Sequence, residues 1–262
     1  MPRFAANLTM LYTDRNFLDR FAAAAKDGFT GVEYLFPYAF EKEALVERLE
    51  RYRLTQVLHN LPAGDWDAGE RGIACQPDRV GEFRDGVGKA IEYATALDCR
   101  QVNCLVGKAP EGVRQDVLER TLVDNLSYAA GALKAAGIRL LVEPINTRDI
   151  PGFYLNTTRH AERLLEAVGS DNLFIQYDVY HMQIMEGDLV PTIERLLPKI
   201  AHVQVADNPG RNEPGTGEIN YPFVFAALDR IGYGGWVGCE YKPAGDTSKG
   251  LAWMAHYQPA HA

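Results

Sequence analysis

The chain has 262 residues, 47% of them hydrophobic and 24% charged, with a net charge of −8 at pH 7. That balance supports a large core in a soluble protein. The acidity disfavours a nucleic-acid binder, which needs a basic face to displace counterions, and no apolar run reaches the 18 residues of a membrane span.

The N-terminal stretch MPRFAANLTM lacks the apolar core and cleavage site of a leader peptide. A first short apolar run, Phe4–Leu8, reads as a strand. The stretch 14–29 then repeats apolar residues at three and four and stops at Gly28, as an amphipathic helix does. The alternation continues with a strand at Gly31–Phe36, a helix over 41–52 and a strand at Thr55–Asn60. The segment HNLPAGDWDAGERGIACQP (59–77) follows and shows no helical period. Long irregular connections after a strand are commonly functional. Beyond it come a helix over 78–98, a strand at Gln101–Gly107 and a helix over 114–137 ending at Gly137. A strand at Arg139–Asn146 and a helix over 157–169, opened by threonines and closed by Gly169, continue the series. The last part reads as strands Leu173–His181, Ala201–Asp207 and Gly235–Tyr241 with helices over 192–198, 221–232 and 247–257. Eight strands, apolar on both faces and alternating with helices over about 250 residues, predict one (βα)₈ TIM-barrel domain spanning 1–262.

Cys75, Cys99, Cys104 and Cys239 form no CxxC pair and stand at no zinc-finger offset from a histidine. They read as reduced thiols of a cytosolic protein, mostly filling the core. No GxGxxG follows the first strand and no GxxxxGK[ST] occurs, so no nucleotide cofactor is expected.

Four strands carry one polar side chain near their C-terminal end: Glu143 on the fifth, Asp178 on the sixth, Gln204 on the seventh and Glu240 on the eighth. In a barrel these ends ring one mouth. A lone glutamate at a strand end is usually a cap or a surface charge. Four on successive strands are better explained as ligands, because three buried carboxylates repel unless a cation neutralises them. An all-oxygen set suits a hard divalent ion, Mg²⁺ first and Mn²⁺ as the alternative.

The segments RFAANLTMLY, GVEYLFPY, LHNLPAGDWDAGERGIAC, NCLVGK, EPIN, QYDVYHMQIMEGDL, ADNPGRNEPGTGEINY and GWVGCEYKP together run nearly the whole chain. They resemble the hydroxypyruvate isomerase family of xylose-isomerase-like barrels. The resemblance implies metal ligation by Glu143, Asp178, Gln204 and Glu240, with Glu143 and Glu240 as the paired catalytic glutamates. Related sugar isomerases and epimerases often have a histidine where this chain has Gln204. The implied reaction interconverts hydroxypyruvate and 2-hydroxy-3-oxopropanoate through an enediolate. A neighbouring isomerase acting on a four-carbon 2-oxo acid is the nearest alternative. A sugar epimerase, a metal-dependent endonuclease and a non-catalytic metabolite binder on the same barrel stand further off. Barrels of this group often associate, so a homo-oligomer is open, although the sequence shows no interface stripe.

The partner is then a small 2-oxo or hydroxy acid, whose carboxylate needs a cation. Arg71 in the long third loop, Lys108 after strand four, Arg211 after strand seven and Lys242 after Glu240 are the candidates, with Arg71 and Lys108 favoured. A guanidinium offers a two-point grip and an ammonium one point. His181, three residues after Asp178, and His59 at the end of strand three are further candidates for substrate contact. His202 reads as core, while His160, His256 and His261 read as surface; Trp66 and Phe36 are candidate walls of the pocket.

Overall fold

In the computed structural model, which describes residues 1–257, eight parallel strands close a barrel in chain order. They are β1 (Arg3–Asn7), β2 (Gly31–Glu33), β3 (Thr55–Asn60), β4 (Gln101–Cys104), β5 (Arg139–Val142), β6 (Leu173–Asp178), β7 (Ile200–Val205) and β8 (Trp236–Cys239). Closure is made by β1 and β8, with Ala5 opposite Gly238 and Ala6 opposite Cys239. The outer layer contains α1 (Phe17–Lys26), α2 (Lys42–Tyr52), α3 (Val80–Ala96), α4 (Gln115–Ala135), α5 (Thr158–Val168), α6 (Val179–Met185), α7 (Leu189–Leu196), α8 (Tyr221–Arg230) and α9 (Thr247–Gly250). A 3₁₀ turn at Leu251–Tyr257 follows, so the expected last helix is split in two.

The core lies between strands and helices, where Phe21, Leu45, Leu126 and Phe225 are fully buried. Each such side chain contributes about 1.5–3 kcal/mol by leaving water. Helix ends follow the sequence signals: Thr157 accepts the His160 N–H at 3.2 Å, and Gly169 closes α5 in the left-handed region. His160 itself is half-buried, its Nε2 3.2 Å from Glu119, so it is less exposed than the sequence suggested. All four cysteines are buried and free. Among the described residues no helix is long and apolar enough to cross a membrane. His261 lies outside the described residues.

One departure bears on function. The run LFIQYDVYH was expected to stay extended through His181, but β6 stops at Asp178 and α6 begins at once. Asp178 Oδ1 accepts the backbone N–H groups of Tyr180 (2.8 Å) and His181 (3.4 Å). A carboxylate at an N-cap satisfies donors that a helix start leaves open, and this local gain outweighs the strand preference of Val179 and Tyr180. The turn brings His181 back over the strand end.

Candidate active site at the C-terminal mouth of the barrel

A cavity of about 560 Å³ opens at the C-terminal ends of the strands. Glu143 and Glu240 stand one residue past β5 and β8, Asp178 is the last residue of β6, and Gln204 pairs with it across β7. Glu143, Asp178 and Glu240 are at most 6% exposed. Ligand atoms of Glu143, Asp178, His181 and Glu240 lie within 4.8 Å of one another.

The acids are held from behind. Asn103 Nδ2 donates to Glu143 Oε2 at 3.2 Å, and Asn7 Nδ2 to Glu240 Oε1 at 3.3 Å. Arg211 Nη2 meets Glu240 Oε2 at 2.6 Å. Two inward oxygens, Glu143 Oε1 and Asp178 Oδ2, are buried with no hydrogen-bond partner. Burial raises the Glu143 pKa well above the usual carboxylate range, and the Glu240 and Asp178 charges add to it. Burial likewise moves Asp178 to about 6 and Glu240 to about 7, each opposed by Arg211. Three acids this close cannot all stay ionised alone. Partnerless buried oxygens on converging acids fit a divalent cation, which would take the lone pairs that nothing else takes.

His181 offers the opposite chemistry. Asn146 Oδ1 accepts the Asp149 N–H at 2.7 Å, which turns its Nδ2 to the His181 Nδ1 at 2.6 Å. Nδ1 therefore accepts, and the neutral ring carries its hydrogen on Nε2. That N–H points between Glu143 Oε1 (3.7 Å) and Asp178 Oδ2 (3.6 Å). Burial and Arg211 depress the ring pKa, so the neutral form prevails. The ring presents a donor, not a lone pair, to the cavity.

The cations divide. Arg71, Arg211 and Lys242 line the cavity, and Lys108 does not. Lys108 Nζ instead donates to the Gly69 carbonyl at 2.8 Å and braces the long loop. That loop is pinned to the end of β4, with Cys75 N donating to Val106 O at 3.0 Å. Gly72 (φ 112°) passes so close to Leu105 that a Cβ would meet its carbonyl oxygen at 2.0 Å. Trp66 lines the cavity with Phe36 edge-on behind it at 5.1 Å. Arg71 lies 4.0 Å over the Trp66 ring and donates through Nη1 to the Trp66 carbonyl. Nε and Nη2, the two-point edge of its guanidinium, make no hydrogen bond among the described residues.

His59 also lies off the cavity. Strand alternation turns Leu58 and Asn60 inward and His59 outward, against Tyr38. Arg211, ranked below Arg71 and Lys108 from the sequence, is in fact at the centre. Its loop is organised by Asp207, which accepts the N–H groups of Gly215 (2.8 Å) and Ile219 (3.0 Å).

A closed barrel with buried acids and a histidine clustered at this mouth is compatible with a divalent metal ion. Residues 21–257 match the xylose isomerase-like TIM barrel family, and the chain belongs to that family. The chain is 55% identical over 258 residues to the hydroxypyruvate isomerase of Escherichia coli strain K12, covering 98% of this chain and all of the relative. It is 47% identical over 257 residues to the 2-oxo-tetronate isomerase of Cupriavidus necator, covering 98% and 99%. A crystal structure of an AP endonuclease, family 2, from Brucella melitensis superposes with a TM-score of 0.96 at 48% identity, covering 99% of this chain and all of that one.

Proposed function

We propose that the chain is an isomerase that interconverts hydroxypyruvate and 2-hydroxy-3-oxopropanoate. The observation that carries this reading is the placement of Glu143 and Glu240 as two buried carboxylates on one cavity, beside Asp178. Glu143, Asp178, Gln204 and Glu240 would hold a divalent cation, Mg²⁺ or Mn²⁺, which when bound supplies Lewis-acid polarisation of the substrate oxygens and offsets the acids' charge. Gln204 Oε1 accepts from Gln176 at 2.6 Å and keeps a second lone pair for that purpose.

The proton work falls to the glutamates. One carboxylate takes a proton from C3 of hydroxypyruvate, leaving an enediolate across C2 and C3. The other returns a proton to C2, while the hydroxyl proton passes from O3 to O2. Positioned acid–base groups of this kind contribute about 10²–10⁴-fold. His181 Nε2–H donates to a substrate oxygen at the mouth. The Arg71 edge grips the substrate carboxylate at two points, with Lys242 on the rim, and Trp66 excludes water on that side.

The relative at 47% identity supports a second reading, isomerisation of a four-carbon 2-oxo acid, by the same groups. The endonuclease reading is weaker, because the mouth is a concave acidic cavity in a chain of net charge −8 and not a basic groove. Turnover of hydroxypyruvate and of a 2-oxo-tetronate, before and after chelation, tests all of these. The expected result is hydroxypyruvate turnover at the higher kcat/KM, lost on chelation and restored by Mg²⁺ or Mn²⁺. Turnover that survives exhaustive chelation would end the cation assignment.

A further inference from the structure

Glu33 ends β2, is fully buried, and has no part in the proton transfers above. It points into the barrel beneath the mouth and meets three donors. Its Oε1 accepts from Gln204 Nε2 at 2.7 Å and from Asn7 Nδ2 at 3.0 Å, and its Oε2 lies 2.7 Å from His202 Nε2. Three converging donors offset the desolvation of a buried carboxylate. The fold also keeps space for it: a Cβ on Gly238 of β8 would stand 2.4 Å from both Glu33 oxygens. The glycine admits the carboxylate.

Both amides on Oε1 lead to the reacting groups. Asn7 Nδ2 is shared with Glu240 Oε1 at 3.3 Å. Gln204 is the amide among the four cation ligands, and an amide has two ends. Its other partner, Gln176, is an amide too and could pair with Gln204 in either orientation, since each end donates or accepts. Glu33 only accepts. It draws the Gln204 NH₂ toward itself and so turns the Gln204 oxygen away, to the side where Gln176 takes one lone pair and the second stays free.

We propose that Glu33 is a positioning residue. It selects the orientation of the Gln204 amide that offers oxygen to the cation, and through Asn7 it holds Glu240 for proton transfer. The inference rests on the reading of the mouth as a cation-dependent isomerase site.

The test is calorimetric titration of the chelator-stripped full chain with Mn²⁺, alongside kcat and KM for hydroxypyruvate. Wild-type protein that binds no Mn²⁺ defeats the underlying reading, whatever the variants do. Given wild-type binding, Glu33→Ala is expected to weaken Mn²⁺ by about 10–100-fold, the usual effect of removing a residue that orients a metal ligand, and to lower kcat more than it raises KM. Glu33→Gln can keep its oxygen on Gln204 and Asn7 and its NH₂ on His202, whose Nδ1 has no partner and can take the ring hydrogen. It should hold Mn²⁺ within about threefold of wild type. A folded Glu33→Ala protein with wild-type Mn²⁺ affinity and kcat overturns the proposal. So does Glu33→Gln as weak as Glu33→Ala, which would make charge, not orientation, the cause. Should Glu33→Ala not fold, Asn7→Ala carries the test. Its kcat should fall about tenfold with Mn²⁺ affinity nearly kept, and an unchanged kcat overturns the route to Glu240.

Discussion

The two mouths of the barrel hold cavities of similar size, about 560 Å³ at the C-terminal ends of the strands and about 520 Å³ at the N-terminal ends. The upper mouth gathers the buried acids Glu143, Asp178 and Glu240, the first two of which each keep one oxygen without a partner. The lower one is lined by Arg3, Arg139, Gln56 and Trp236, with Arg3 donating to the Gly234 carbonyl at 2.7 Å and lying 4.8 Å over the Trp236 ring. The same eight strands build both, so volume does not locate chemistry here. Both leave buried oxygens without a partner, but those of the lower cavity sit on the neutral amides of Gln56 and Gln101, so what differs is charge. Arg3 is engaged with backbone and ring, whereas Glu143 Oε1 and Asp178 Oδ2 lack any partner. In barrels the loops that follow the strands carry the site, and here they bring Arg71 and Arg211 to the same cavity.

The sharpest way to break that contrast is to remove the charge of one upper carboxylate without changing its shape. Glu143→Gln and Glu240→Gln should each lower kcat for hydroxypyruvate by about 10²–10⁴-fold, measured at saturating Mg²⁺. Near-normal turnover in either would move the proton transfers elsewhere. The upper cations should then separate by kinetic signature. Arg211 touches Glu240 at 2.6 Å, so Arg211→Ala should act mainly on kcat. Arg71 meets backbone and Trp66 only, so Arg71→Ala should raise KM by roughly 10-fold or more with a smaller change in kcat, and Arg71→Lys should not restore it. A change confined to kcat in Arg71→Ala would remove it as the carboxylate partner.

His59 belongs to neither mouth and titrates for a different reason. Burial lowers its pKa from 6.5 to about 4. The unfolded chain therefore binds this proton near pH 6.5 while the native chain refuses it until about pH 4. The stability it contributes is complete above pH 6.5 and is lost as pH falls toward 4. The difference amounts to about 3 kcal/mol at most. Denaturant unfolding at pH 7 and pH 5 should show wild type losing more stability than His59→Gln across that interval. The pH profile of turnover should be the same in both proteins. A changed profile would bring His59 back to the reaction.

The barrel was legible because both periods are strong: short apolar runs alternate with helices ended by Gly28, Gly137 and Gly169. Glu143, Asp178, Gln204 and Glu240 could be picked out because each is a polar residue at the end of an apolar strand, and only the fold could bring them together. The helix after Asp178 was not legible, since Val179 and Tyr180 favour a strand and the capping carboxylate decides against them. Lys108 and His59 lie off the cavity for a geometric reason. Position near a strand end does not fix which way a side chain leaves, and alternation turns His59 outward while Gly69 captures Lys108. Glu33 passed unnoticed in GVEYLF, where nothing local marks its carboxylate as buried. Its partner signal, Gly238, lies 205 residues away on β8, two strands round the closed barrel.

The smallest expected effect is the one that guards the comparison from the other side. Arg139 lies at the lower mouth, 5.9 Å over the Phe174 ring, with no carboxylate within 4 Å among the described residues. An exposed cation over an aromatic face is worth about 0.5–1 kcal/mol, and no chain of hydrogen bonds ties it to Glu143 or Glu240. Arg139→Ala should therefore leave kcat and KM within about twofold and lower the unfolding free energy by no more than that cation–π contribution, read from paired denaturant curves. Arg139→Ala changing turnover tenfold with stability intact would mean that the lower cavity communicates with the acids above it. The barrel would then have two working ends, and the chemical asymmetry between its mouths would not be an asymmetry of function.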